Sequence, residues 1–193
     1  MKSLAVATSA LILLAGLGAC SSGDSDGASP PANDQTSPEV DLPTGDGSMP
    51  ETPLPPDATA TIAGWDITVV SVNRDATEEV LAASPKNTPP DDFERYVLAE
   101  IQATSTDPNG PPLNSGFGLV EVSVMDTDRK EYRGMSGKCG ILADDIYSHK
   151  DVDSGDTVSG QICVKVDAKK LDGAVWVFNK LPAKEDPLFL LIA

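Results

Sequence analysis

The chain lacks most of what catalysis and nucleic-acid binding draw on. It has one histidine, His149, in 193 residues. Zinc wants about four nitrogen or sulfur ligands, so a histidine-rich metal site is excluded. Lys and Arg total 14 against 30 Asp and Glu, a formal net charge of −16. Phosphate backbones need clustered cations, which disfavours nucleic acid as a partner. A glycine-rich phosphate loop and a nucleophile elbow are both missing from the sequence. The uncharged N-terminal run, Leu4 to Ala19, has 16 residues, short of the roughly 20 that a helix needs to cross a bilayer.

What that N-terminus does hold is particular. "MKSLAVATSALILLAGLGAC" has a positive start at Lys2, an apolar core and small residues before Cys20, the marks of a secretory signal. Leu17, Gly18, Ala19 and Cys20 match the Leu-small-small-Cys lipobox, and the segment resembles a bacterial lipoprotein signal. The resemblance implies cleavage after residue 19 and a diacylglycerol on the Cys20 thiol. More than one acyl chain on one residue suffices for stable anchoring, where a single chain is marginal. The plainer alternative is ordinary secretion with Cys20 incidental. Losing Lys2 and no acid takes the mature chain to −17, so lipid rather than a polybasic patch would hold it at the membrane.

Residues 20–60 hold eight Pro and eight acids, with no Lys, Arg or aromatic residue. Such a segment buries too little apolar surface to fold and is read as a disordered tether. A flexible coil of that length spans roughly 35 Å, and a polyproline form about 125 Å.

Residues 61–193 are one domain by size, and its pattern is strands. "WDITVVSVN" alternates at Trp65, Ile67 and Val69, then stays apolar through Val72. "RYVLAEIQATS" puts Val97, Ala99, Ile101 and Ala103 on one side; "FGLVEVSVMD" puts Val120, Val122 and Val124 opposite Glu121 and Ser123. "DTDRK" and "DVDSGD" read as turns, the first leading into Glu131 and Tyr132, the second into a strand with Val158, Ile162, Val164 and Val166 on one face. "GAVWVF" and "PLFLLIA" are apolar on both sides and read as well-covered strands. "DATEEVLAAS" is the one stretch with a helical look, ending at Pro85. Strands bounded by turn signals predict an all-β fold, an immunoglobulin-like β-sandwich.

With Cys20 assigned to the lipid, Cys139 and Cys163 remain. An even pair in an exported chain reads as a disulfide, with zinc a poor alternative. The bridge would be worth about 3–4 kcal/mol by loop closure. Parity places Cys163 opposite Ile162 and Val164, hence on the outer face of its sheet, unless a bulge near Gly160 turns it inward.

Four features together suggest a family: the strand led by Trp65, "EVLAASPKNTPPDDFERYVLAEIQATST", "CGIL" and "VDSGDTVSGQICVKV". They resemble the telokin-like, immunoglobulin-type domain of bacterial exported proteins, the immunoprotective-extracellular-protein type found in actinobacterial lipoproteins. Where relatives often carry a glycine, this chain has Asp92-Phe93-Glu94. The resemblance implies a surface-exposed sandwich and supplies no catalytic residues.

His149 could act as a base beside Ser148, Ser154 or Asp151, but a solvated loop histidine is the plainer reading. Asp151, Asp153 and Asp156 have acids spaced as calcium loops do, yet Gly155 occupies the fifth position; acids at turns also bond their own backbone. Trp65 and Trp176 read as core before they read as a ligand platform. "ATEEVL" and "PPDDFE" are charged surface segments or a partner-binding edge. The expected function is that of a non-enzymatic module without a cofactor. It would be lipid-anchored at Cys20 on the outer side of the cell membrane and bind a protein or cell-wall partner. The alternative is a carrier of a small apolar ligand between the sheets.

Overall fold

The computed structural model describes residues 44–107, 120–134, 139–150, 152–182 and 185–192. The predicted signal peptide at 1–19, the lipid site Cys20 and the tether as far as residue 43 lie outside them. Alternating side chains build strands β1 (Thr59–Ile62), β2 (Trp65–Asn73), β3 (Glu94–Ser105), β4 (Val120–Met125), β5 (Glu131–Arg133), β6 (Thr157–Asp167), β7 (Val175–Lys180) and β8 (Leu188–Leu191). Among the described residues one α-helix, α1 (Thr77–Ala83), is present, between β2 and β3. Two antiparallel sheets form, in orders β1-β2-β3-β6 and β5-β4-β7-β8. This is the β-sandwich expected from the strand pattern.

The inward faces follow the alternation. Val97, Ala99, Ile101 and Ala103 of β3 meet Ile162, Val164 and Val166 of β6 in one core with Val120, Val122 and Val124. Trp65, Trp176 and Phe178 are buried in the same cluster. The uniform apolar run at the end of β2 has a local cause. The β2–β3 register slips between Val69 and Ser71, leaving Val70 as the extra residue of a bulge. Val70 is therefore exposed, and parity shifts so that Val72, like Val69, packs on the core.

Strand β6 pairs regularly with β3 from Thr157 through Asp167, without a bulge at Gly160. Cys163 thus points away from Ile162 and Val164, as its parity predicts, and bonds Cys139. The outer position does not expose it. Cys139 and Cys163 form a second small core with Tyr96, Leu98, Val80 and Ala76. Helix α1 supplies Val80 and lies over that face. Gly160 has another role: a Cβ there would stand 2.8 Å from Ile146 Cα. Its absence lets residues 144–146 run along the β6 edge, where the Gln161 N–H donates to Asp144 O at 2.5 Å.

The tether boundary at residue 60 is corrected. Ala60 is buried in the main core, and residues 45–54 dock on the outer edge of β8. The Leu54 N–H donates to Phe189 O (2.8 Å), Phe189 N–H to Gly47 O (2.9 Å) and Leu191 N–H to Leu54 O (2.9 Å). This strap escaped composition-based reading because strand pairing uses backbone groups, which every residue except proline supplies in full. Gly47, at φ +74, fits because a Cβ there would meet Leu54 Cγ at 2.7 Å and Phe189 O at 3.0 Å.

Replacing both Cys139 and Cys163 by alanine is expected to lower unfolding stability by about 3 kcal/mol. Urea titration against the oxidised parent measures it.

Candidate functional site

The two charged segments that the sequence offered as surface come together. The turn after β2, the first turn of α1, the proline-rich loop and the start of β3 enclose an open cleft of about 680 Å³. Its lining includes six carboxylates, those of Asp75, Glu78, Glu79, Asp91, Asp92 and Glu94, against the one guanidinium of Arg95. Pro89 and Pro90 stiffen one wall.

Half of those carboxylates are tied down. Asp75 pairs with Arg95 at 3.1 Å and accepts the Thr77 hydroxyl at 3.0 Å. Glu79 accepts from Asn73 Nδ2 at 3.1 Å and Gln161 Nε2 at 3.3 Å. Glu94 pairs with Lys165 at 2.8 Å; that bond to Glu94 is the main cause of the raised Lys165 pKa. Glu78, Asp91 and Asp92 direct their carboxylates to no partner among the described residues. Phe93, in the sequence between Asp92 and Glu94, is 59% exposed, while its carbonyl accepts the Ala168 N–H. The chemistry on offer is electrostatic recognition with an apolar contact beside it. Thr77 is the only hydroxyl-bearing residue lining the cleft, and no histidine or cysteine joins it.

Asn87 fixes the loop that walls the cleft, and the sequence reading passed over it. Its Nδ2 donates to Val80 O (2.6 Å) and Ile141 O (2.7 Å), and its Oδ1 accepts the Ile141 N–H (2.7 Å). The side chain so mimics a strand neighbour for the Cys139 segment. The Tyr96 hydroxyl donates to Thr88 O at 2.8 Å and holds the next residue.

The other candidates separate. His149 Nε2 lies 2.8 Å from Ser159 O and 3.7 Å from Asp144 Oδ1. Its ring thus fastens residues 144–149 to β6 and bonds neither Ser148 nor Ser154. Asp153 and Asp156 close the turn before β6, with the Asp156 N–H donating to Asp153 O; Asp151 lies outside the described residues. Among the described residues no group of His, Cys, Asp and Glu has metal-holding geometry. Of the two acids of "DTDRK", Asp126 serves its own turn, while the Asp128 carboxylate pairs with Lys170. Asp126 Oδ1 accepts the N–H groups of Asp128 (2.9 Å) and Lys130 (3.0 Å), and Oδ2 the Tyr132 hydroxyl (3.1 Å). Glu121 is 4% exposed on the outer side of β4, 3.4 Å from Arg133; alternation foretold its side but not its burial. Trp65 and Trp176 are core.

Tyr147 is a further residue that sequence reasoning missed. Its hydroxyl donates to Val120 O and accepts the Val122 N–H, both at 3.2 Å. It therefore bonds β4, in the sheet opposite β6. Burial pushes the Tyr147 phenol well above its ordinary value. Burial, helped by the bond to Asp126, pushes Tyr132 to about 12.

The chain matches no protein-family model, and no curated protein matches. It is similar to two solved structures. One is a conserved hypothetical protein from Bacillus anthracis: 14% identity, 68% of this chain and 92% of that chain covered, TM-score 0.45. The other is an uncharacterized β-sandwich protein from Clostridium difficile 630: 10% identity, 71% and 91% covered, TM-score 0.41. Among the described residues no helix is long and apolar enough to cross a membrane.

Asn87→Ala should cost about 1–3 kcal/mol and speed hydrogen exchange at the Ile141 amide while the remote β4–β7 amides keep their protection. In alkali, Tyr132 and Tyr147 hold their protons in the folded state above the unfolded pKa near 10. The unfolded state then binds fewer protons, so stability is full below about pH 10 and falls as pH rises through the raised folded values. A tyrosinate absorbance titration should show a component near pH 12, removed by Tyr132→Phe.

Proposed function

We propose that the chain is a lipid-anchored, non-enzymatic surface module of the telokin-like type. Cys20 would carry a diacylglycerol in the outer leaflet of the cytoplasmic membrane. The sandwich would present its surface to a protein or cell-wall partner. The observation that carries the reading is the meeting of "ATEEVL" and "PPDDFE" in one open acidic cleft, flanked by exposed Phe93, on a domain whose interior is occupied. Trp65, Trp176, Phe178, Ile67 and Ile101 fill the space between the sheets, which gives the alternative, a carrier of an apolar ligand, little support. The lipobox at Leu17–Cys20 and the Cys139–Cys163 bond both fit an exported chain.

Because the strap belongs to the domain, residues 20–43 would provide the clearance. That is roughly 25–30 Å as a coil and about 75 Å as an extended polyproline form.

Intact-mass analysis of the chain extracted from membranes, with and without reductant, should show an N-terminal diacylglyceryl-cysteine and one intramolecular disulfide. An unmodified Cys20 thiol would end the anchoring reading. Crosslinking in intact envelopes should capture a partner with the parent chain. It should lose that partner when Asp91, Asp92 and Phe93 are all changed to alanine. Equal capture by both chains would remove the cleft from the reading.

A further inference from the structure

The strap at residues 45–54 is held differently from the rest of the domain. Three backbone hydrogen bonds join it to β8, and Glu51 at its tip pairs with Arg129 of the β4–β5 turn. Its large apolar side chains contribute little: Met49 is 53% exposed, and Leu54 is only partly buried. The fully buried positions within it are Gly47 and Pro53, which have small or rigid side chains. From β1 onward the burial is of another kind, beginning with Ala60 and Ile62 in the core. Pro55 and Pro56 lie between the two regions and cannot donate to a ladder. Local opening free energy follows buried apolar contact. The strap is therefore the unit that opens first, hinging at the two prolines.

Opening leaves β8, "LFLL", as an apolar edge with the Phe189 and Leu191 N–H groups unpaired. A bare edge of that kind takes up another strand. We propose that the occupant is the strap of a second copy of this chain, so that two molecules exchange residues 45–54 reciprocally. The complement is already specified. The second strap brings the same Gly47 at positive φ, the same Leu54 and the same Glu51 for Arg129. Exchange keeps each of these bonds and costs association entropy alone, which high local concentration offsets. The exchange requires no membrane anchor; crowding on a surface would only favour it.

Two measurements on the full chain test the proposal. In hydrogen exchange, the Phe189 and Leu191 amides should exchange on the order of 100-fold faster than those of β7. If they exchange only with the global unfolding of β7, the strap is not a separate unit and the proposal fails. In native mass spectrometry, isotopically labelled and unlabelled chains mixed at high concentration should form mixed dimers. Gly47→Val should abolish them, because the added side chain collides with Leu54 and Phe189 O. Circular dichroism of that variant should stay that of the folded sandwich. Mixed dimers that persist in Gly47→Val, or a parent that stays monomeric while its β8 amides exchange fast, would overturn the second copy as occupant.

Discussion

The pairing of β3 with β6 is the constraint on which the rest depends. The ladder runs unbroken from Glu94–Asp167 to Thr104–Thr157. A strand's side chains alternate between faces, so an unslipped ladder commits both strands to two surfaces at once. One surface is the core that meets the opposite sheet. The other carries Tyr96, Leu98 and Cys163 and must be covered as well. Helix α1 and the segment after Cys139 provide that cover, and the disulfide welds the second to the sheet. A one-residue slip would drive Cys163 into the main core and leave the valines facing α1.

The acidic cleft is a by-product of that second layer. Covering the outer face of β3 requires the chain to leave the sheet after Asn73 and return at Glu94. The excursion carries its acids at its two ends, and the return brings the ends together. Asn87 and Tyr96 hold the excursion in place through backbone carbonyls. The cleft therefore has a rigid frame under a charged rim, and among the described residues Glu78, Asp91 and Asp92 direct their carboxylates to no partner, while Arg95 pairs with Asp75 and Lys165 with Glu94. Such a surface attracts cations at long range and is weakened by salt.

Edge protection explains the remaining pieces. A sandwich leaves strand edges that must be covered. The β6 edge is covered by residues 144–146, pinned by His149 on Ser159 O and by Tyr147 on β4. The β8 edge is covered by the strap. Both covers pair backbone to backbone, and the β6 cover also sinks Ile146 into the main core. The single histidine of the sequence, expected as a solvated loop residue, instead fastens this cover through Ser159 O.

The sequence by itself determined the sandwich, the inward valines of β3, β4 and β6, the outward parity of Cys163 and the turns at "DTDRK" and "DVDSGD". Each of these is set by the two-residue period of a strand or by bonds between residues a few positions apart. Only the tertiary structure decided that the outward cysteine would be buried, that Val70 would bulge, that Asn87 would pair with Ile141 and that residues 45–60 belong to the domain. These depend on which distant segment arrives next to which. A proline-rich, acidic strap looks unfoldable on composition because composition counts side chains, whereas its docking is made of backbone hydrogen bonds that any such segment can offer once a bare strand edge lies beside it.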